Sequence, residues 1–173
     1  MNTNINELSG YITNLGKYNE GYLIGEWIKF PISEDELEAV LERIGINDEY
    51  EEYFITDYDN YYDIDFDFGE YTSISRINET VEALDNLSSY ELEKVKAILE
   101  VEHMDVLDVI ENLNRWGFYQ GADKEDIARE HIETYFYSGE IPEFFQTYFD
   151  YEGYARDYLC DYSETSYGVI WEA

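Results

Sequence analysis

The chain has 173 residues, 45% of them hydrophobic, enough apolar material to bury a core and too much for an unstructured peptide. Its charge is lopsided: 41 Asp and Glu face 10 Lys and Arg, a formal net charge of −31 at neutral pH. Such a balance excludes a nucleic-acid-binding basic surface, and the aromatic content of 18%, with 19 tyrosines, excludes a disordered acidic tail. Tyrosine suits thin domains, since its ring can be buried while its hydroxyl stays wet. A lone cysteine, Cys160, leaves no disulfide framework and no cysteine cluster for zinc, which points to a reducing cytoplasm. Neither an export signal at Met1 to Ser9 nor an apolar run long enough to span a membrane is evident.

In chain order, Tyr11–Leu15 and Tyr22–Phe30 are rich in β-branched and aromatic residues and are separated by Gly16, Asn19 and Gly21, a pattern that predicts a hairpin with a longer loop. Pro31 ends its second strand. Ser33 and Glu36 form a capping-box signature ahead of Leu37, Val40, Leu41 and Ile44 at helical spacing, with Gly45 as the stop. A third strand near Tyr53–Thr56 completes a small sheet carrying one helix. This is a first α+β module, residues 1–70.

From Tyr71 the period becomes helical. Ile74, Ile77, Val81, Leu84 and Leu87 form one stripe, Leu92, Val95 and Leu99 a second after a Ser88/Glu91 capping box, and Val106, Val109, Ile110 and Leu113 a third. Short amphipathic helices cannot bury such stripes alone, so residues 71–115 read as a helical bundle. A third module, residues 116–173, is again α+β. It has a strand at Trp116–Tyr119, a helix capped by Asp123 and carrying Ala128, Ile132, Tyr135 and Phe136, a helix opened by Pro142 with Phe145 and Phe149, and a final strand at Tyr167–Trp171. The fold class is α+β, built as a line of small modules.

The sharpest local feature spans Asp48 to Glu70. Asp48, Glu49, Glu51, Glu52, Asp57, Asp59, Asp63, Asp65, Asp67 and Glu70 occur there without a single Lys or Arg, the nearest bases being Arg43 and Arg76. Held on an ordered surface, these carboxylates attract a basic partner and speed encounter; the plainer alternative is a solvated loop. Asp63, Asp65 and Asp67 do not make a calcium-binding EF-hand loop, because the sixth and twelfth positions counted from Asp63 are Phe68 and Ile74 rather than Gly and Glu. Their alternation with Ile64, Phe66 and Phe68 predicts an edge strand with one wet face.

Catalytic signatures are absent from the sequence. His103 and His131, the only histidines, stand in no metal-ligand spacing, and no glycine loop cradles a phosphate. With 41 acids, any carboxylate pair arises by chance and carries no enzymatic signal. The reading is therefore a binding protein with no cofactor and no metal. The charge has a length: duplex DNA carries roughly one charge per 1.7 Å of axis, so −31 corresponds to roughly 53 Å, or about 15 base pairs. An acidic protein of that spacing competes for the Lys and Arg that hold DNA phosphates. A protein whose acidity serves ion binding or salt tolerance is the alternative, separable by calcium titration.

The run from Tyr11 through Gly21 (YITNLGKYNEG), followed by Leu23, Gly25, Trp27, Phe30 and Pro31, resembles the N-terminal signature of the ArdA antirestriction proteins. Ile46–Tyr53 (INDEYEEY) with Asp57 and Tyr58, Tyr71–Ile74, and Tyr148–Asp157 (YFDYEGYARD) are similar to later blocks of that family. The resemblance implies a curved, elongated three-domain DNA mimic that dimerises through its C-terminal domain. It implies binding to the methyltransferase core of type I restriction-modification enzymes, with no nucleic acid or membrane partner, and carriage on conjugative elements. On this basis Glu130, Glu133, Asp150, Glu152 and Asp157 join the acids of the 48–70 segment as phosphate mimics, and Phe144, Phe145, Tyr148, Tyr151 and Tyr154 are candidates for the dimer face.

Overall fold

A computed structural model of the chain describes residues 7–136 and 147–173. It is a mixed α+β structure with two small antiparallel sheets and divides into two compact units, 1–86 and 87–173. The division falls inside the stretch read from sequence as one helical module: the first of its helices belongs to unit one and the other two to unit two.

In the first unit, strands β1 (Leu8–Asn14), β2 (Gly25–Phe30) and β3 (Tyr53–Asn60) form a sheet of order β2-β1-β3. The predicted hairpin is present as the antiparallel β1–β2 pair, in which Leu8 faces Phe30 and Thr13 faces Gly25. β1 lies between two partners, and its Leu8, Gly10 and Ile12 are buried at period two. Gly10 lets the Phe30 ring pack close to the strand, since a Cβ there would stand 3.0 Å from it. Where β1 meets β3 the register shifts between Tyr11 and Ile12, and Thr56 bonds across the gap to Thr13 Oγ1 at 2.9 Å.

The hairpin loop contains a short helix, α1 (Leu15–Asn19), that periodicity did not predict because five residues carry no repeat. Its N-cap is Asn14, whose Oδ1 accepts from Lys17 N at 2.9 Å. The same amide donates to the carbonyls of Ile44 and Gly45, both at 3.2 Å, so a fully buried polar side chain is satisfied while it ties the hairpin to the end of the next helix. That helix, α2 (Glu34–Arg43), starts at the reciprocal Ser33/Glu36 capping box and buries Val40. In α3 (Ile74–Asp85), Ile74, Ile77, Val81 and Leu84 form the buried stripe read from sequence, while Leu87 lies beyond the helix end.

The second unit opens with α4 (Ser89–Val101) behind the predicted Ser88/Glu91 capping box. Its fully buried positions are Val95, Ala97 and Ile98, whereas Leu92 and Leu99 are half-buried. The apolar face turns toward a sheet of order β4-β6-β5, built from β4 (Trp116–Gln120), β5 (Ser163–Thr165) and β6 (Gly168–Glu172), as well as toward α5 (Val106–Glu111). A sheet buries more of a helix face than another short helix can, and this displaces the stripe from its predicted centre. α6 (Lys124–Phe136) and α7 (Tyr151–Tyr158) pack together, with Ile127, Ala128, Ile132, Tyr151, Ala155, Leu159 and Val169 as one cluster. The helix expected from Pro142, including Phe144 and Phe145, lies outside the described residues, as do the side chains of Tyr135 and Phe136.

Candidate partner-binding surface

Every carboxylate predicted to face a partner is exposed. Asp48, Glu49, Glu51 and Glu52 occupy the turn before β3; Asp57 and Asp59 lie on β3; Asp63, Asp65, Asp67 and Glu70 follow it. Glu130 and Glu133 are on α6, Asp150 caps α7, and Glu152 and Asp157 are on α7.

One expectation requires correction. Asp63–Phe68 is not an edge strand, although it keeps the predicted alternation of exposed Asp with covered Ile64, Phe66 and Phe68. Side chains divert the backbone from the sheet ladder: Asn60 Oδ1 accepts from Tyr62 N at 2.9 Å and its Nδ2 donates to Ile64 O at 2.7 Å. Asp63 adopts a left-handed φ of 56°, a conformation Asp tolerates better than most residues. The backbone meets β3 again where Ile55 N–H donates to Glu70 O at 2.8 Å.

Aromatic rings hold this strap in place of a ladder. Tyr62 is 1% exposed, and its hydroxyl donates to Asp85 on α3 at 2.5 Å. Phe66 stacks on Phe68 with centroids 4.9 Å apart, and the Tyr58 hydroxyl donates to Gly69 O at 3.1 Å. Burial pushes the Tyr58 phenol up to about 12, and burial followed by the Asp85 hydrogen bond raises that of Tyr62. On the wet side the charge of Asp59 raises the Tyr61 phenol above its usual range. These tyrosines were legible only as composition; their anchoring role depends on contacts with α3 and β3.

The distribution of cations is the second feature invisible in sequence. In the first unit Lys17 pairs with Glu20 at 2.9 Å, Lys29 with Glu7 at 2.7 Å, Arg43 with Glu26 at 2.7 Å and Arg76 with Glu79 at 3.9 Å. All four glutamates lie outside the 48–70 segment. The Arg43 guanidinium grips Glu26 through two nitrogens and holds that carboxyl below its ordinary range. These four cations thus each engage a glutamate outside the acidic run.

In the second unit two of the predicted carboxylates have local duties. Asp150 Oδ1 accepts from Gly153 N at 2.8 Å as the cap of α7, and Asp157 pairs with Arg156 at 3.0 Å. Of the aromatic residues assigned to a dimer face, Tyr148 is 73% exposed and Tyr154 is half-buried, stacked on Tyr158. Tyr151 is buried in the α6–α7 core with the Arg129 guanidinium 4.2 Å above its ring. Its place one turn from Ala155 and two from Leu159 explains this: all three lie on the face of α7 that meets α6.

Among the described residues no group of His, Cys, Asp or Glu is arranged to hold a metal ion, and no helix is long and apolar enough to cross a membrane. No curated protein gives a significant match to the chain. A family model described as antirestriction protein (ArdA) does match, over residues 10–171. That match takes in the hairpin, the acidic strap and both sheets, nearly the whole length, and the chain belongs to the ArdA antirestriction family.

Proposed function

We propose that this antirestriction protein is a DNA mimic that occupies the DNA-binding groove of a type I restriction-modification enzyme at its methyltransferase core. The observation that carries the reading is the run from Asp48 to Glu70, ten exposed carboxylates with no Lys or Arg among them in the sequence. Alternate residues of an extended chain lie about 6.6 Å apart. Two base steps along one DNA strand rise about 6.8 Å. Asp57 and Asp59, alternate residues of β3, therefore stand at a spacing of that order.

Binding of this kind needs no base edges, because contacts to phosphates position a DNA-binding protein without reading sequence. It also needs no catalytic group, and the protein acts by occupancy in the cytoplasm. The C-terminal unit supplies the homodimer contact in this reading, with Tyr148, 73% exposed, the most exposed of the described candidates. The test is direct: a type I methyltransferase is loaded with labelled duplex and titrated with the purified chain. Displacement of the duplex near one dimer per enzyme is the expected result, and a duplex that stays bound at large excess overturns the proposal.

A further inference from the structure

The first unit exposes apolar side chains as well as carboxylates. Between α1 and β2 the hairpin apex presents Tyr22, Leu23 and Ile24 at 61%, 64% and 39% exposure, flanked by Tyr18 at 50% and Trp27 at 48%. Soluble proteins seldom gather consecutive large apolar residues in water without a use for them. The apex is also held in shape. Gly21 takes a φ of 90°, which few other residues would accept, Gly21 N donates to Tyr18 O, Tyr22 N to Lys17 O, and Asn14 N to Ile24 O, each at 2.9 Å. Fixing the backbone beforehand removes part of the ordering cost that a loop pays on binding.

The apex is joined to the acidic run. The Tyr50 hydroxyl, from the middle of Asp48–Glu52, donates to Glu20 at 2.8 Å and accepts from Lys17 Nζ at 2.7 Å, and Leu15 N donates to Glu52 O at 3.0 Å. Gly16 makes room for this clamp, since a Cβ there would lie 2.3 Å from the Tyr50 ring. Whatever covers Asp48, Glu49, Glu51 and Glu52 thus meets the apex on the same corner of the unit. Charge complementarity requires that occupant to be basic; a second copy of this corner would set like charges face to face.

We propose that Tyr22, Leu23 and Ile24 form an apolar anchor that seats in a recess beside the basic groove of the DNA-handling partner. This inference rests on the function proposed above, and assigns part of that binding to contacts that salt does not screen. Electrostatic contacts weaken with the logarithm of salt concentration, whereas apolar burial sets an offset that is constant across the series.

The experiment measures duplex displacement from the methyltransferase across a sodium chloride series, using the full chain, a Tyr22→Ser/Leu23→Ser/Ile24→Ser variant and the single Leu23→Ser variant. The exposed positions leave the fold intact by circular dichroism, and the single variant serves if the triple one unfolds. A loss of roughly tenfold or more for the triple variant, or a smaller loss for the single one, at every salt concentration and with an unchanged salt slope, is the expected outcome. Unchanged potency of the folded variants, a loss that vanishes as salt rises, or a change in oligomeric mass by sedimentation overturns the anchor while leaving the mimic in place. Failure of the unmodified chain to displace duplex removes the underlying function instead.

Discussion

Neutralising Asp57, Asp59, Asp65 and Asp67 together, each to Asn, tests the electrostatic basis of binding without altering shape. All four are exposed, and the Asp57→Asn side chain keeps an oxygen to accept the Tyr58 N–H now bound by Asp57 Oδ1 at 2.9 Å, so the fold is expected to persist. An exposed ion pair is worth about 1.4- to 5-fold in equilibrium constant, so losing four predicts weaker inhibition by between about fourfold and several hundredfold near physiological salt. The salt dependence is the sharper readout. If each carboxylate replaces one phosphate contact, the slope of log affinity against log salt falls by up to about 0.9 per contact, or about 3.6 in total. Over a fourfold rise in salt the unmodified chain should then lose up to about a hundredfold more affinity than the variant. Fluorescence anisotropy of the displaced duplex at several salt concentrations measures both numbers. A variant with the native potency and the native slope refutes the reasoning, because charge at those positions would then be irrelevant to the partner.

Other outcomes follow from the scaffold. Gly117 faces Trp171 across β4 and β6, and a Cβ there would fall 1.9 Å from the indole, which stacks on Tyr119 at 5.1 Å and Tyr162 at 4.9 Å; Gly117→Ala should destabilise the second unit by about 1–3 kcal/mol in urea unfolding, with a shift in tryptophan emission. The hydroxyls of Ser33 and Ser88 hold Glu36 and Glu91 below the ordinary carboxylate value of 4.5. A lowered folded value means stability that is complete above 4.5 and lost as pH falls through the lowered range, so the stability gap between the native chain and a Glu36→Gln/Glu91→Gln variant should shrink below pH 4.5 in denaturant melts. Tyr58, at about 12, and Tyr62, also raised, favour the protonated folded state. Their contribution is whole below the ordinary phenol value of 10.0 and is lost as pH rises through the folded values, so alkaline melts should steepen above 10.0 and soften in Tyr62→Phe.

The local grammar of the chain was readable because it is written over a few residues. Ser33 with Glu36 and Ser88 with Glu91 are contacts three residues apart, and both boxes form as read. The Ile74–Leu84 stripe and the strands at Tyr53 and Trp116 depend on periods of 3.6 and 2, which hydrophobic burial enforces whatever the partner element. Reading fell short where side-chain bonds or tertiary packing competed with the pattern. The Asp63–Phe68 alternation predicted a strand, but the Asn60 side chain turned the chain by bonding Tyr62 N and Ile64 O. Tyr151 was a candidate for the dimer face through the family resemblance alone, and its position facing α6 packs it into the core of the unit.

Composition and short-range pattern were enough to establish an acidic, aromatic-rich α+β protein, its principal caps and strands, and a segment of ten carboxylates with no base among them. Only the folded chain decided which of those charges remain available. Lys29 reaches Glu7 and Arg43 reaches Glu26, both glutamates outside the acidic run, whereas Lys17 links Glu20 to Tyr50 within it. Periodicity reports which side of an element is buried, but ion pairing depends on distance in space, and residues far apart along the chain become neighbours only when the strands pair.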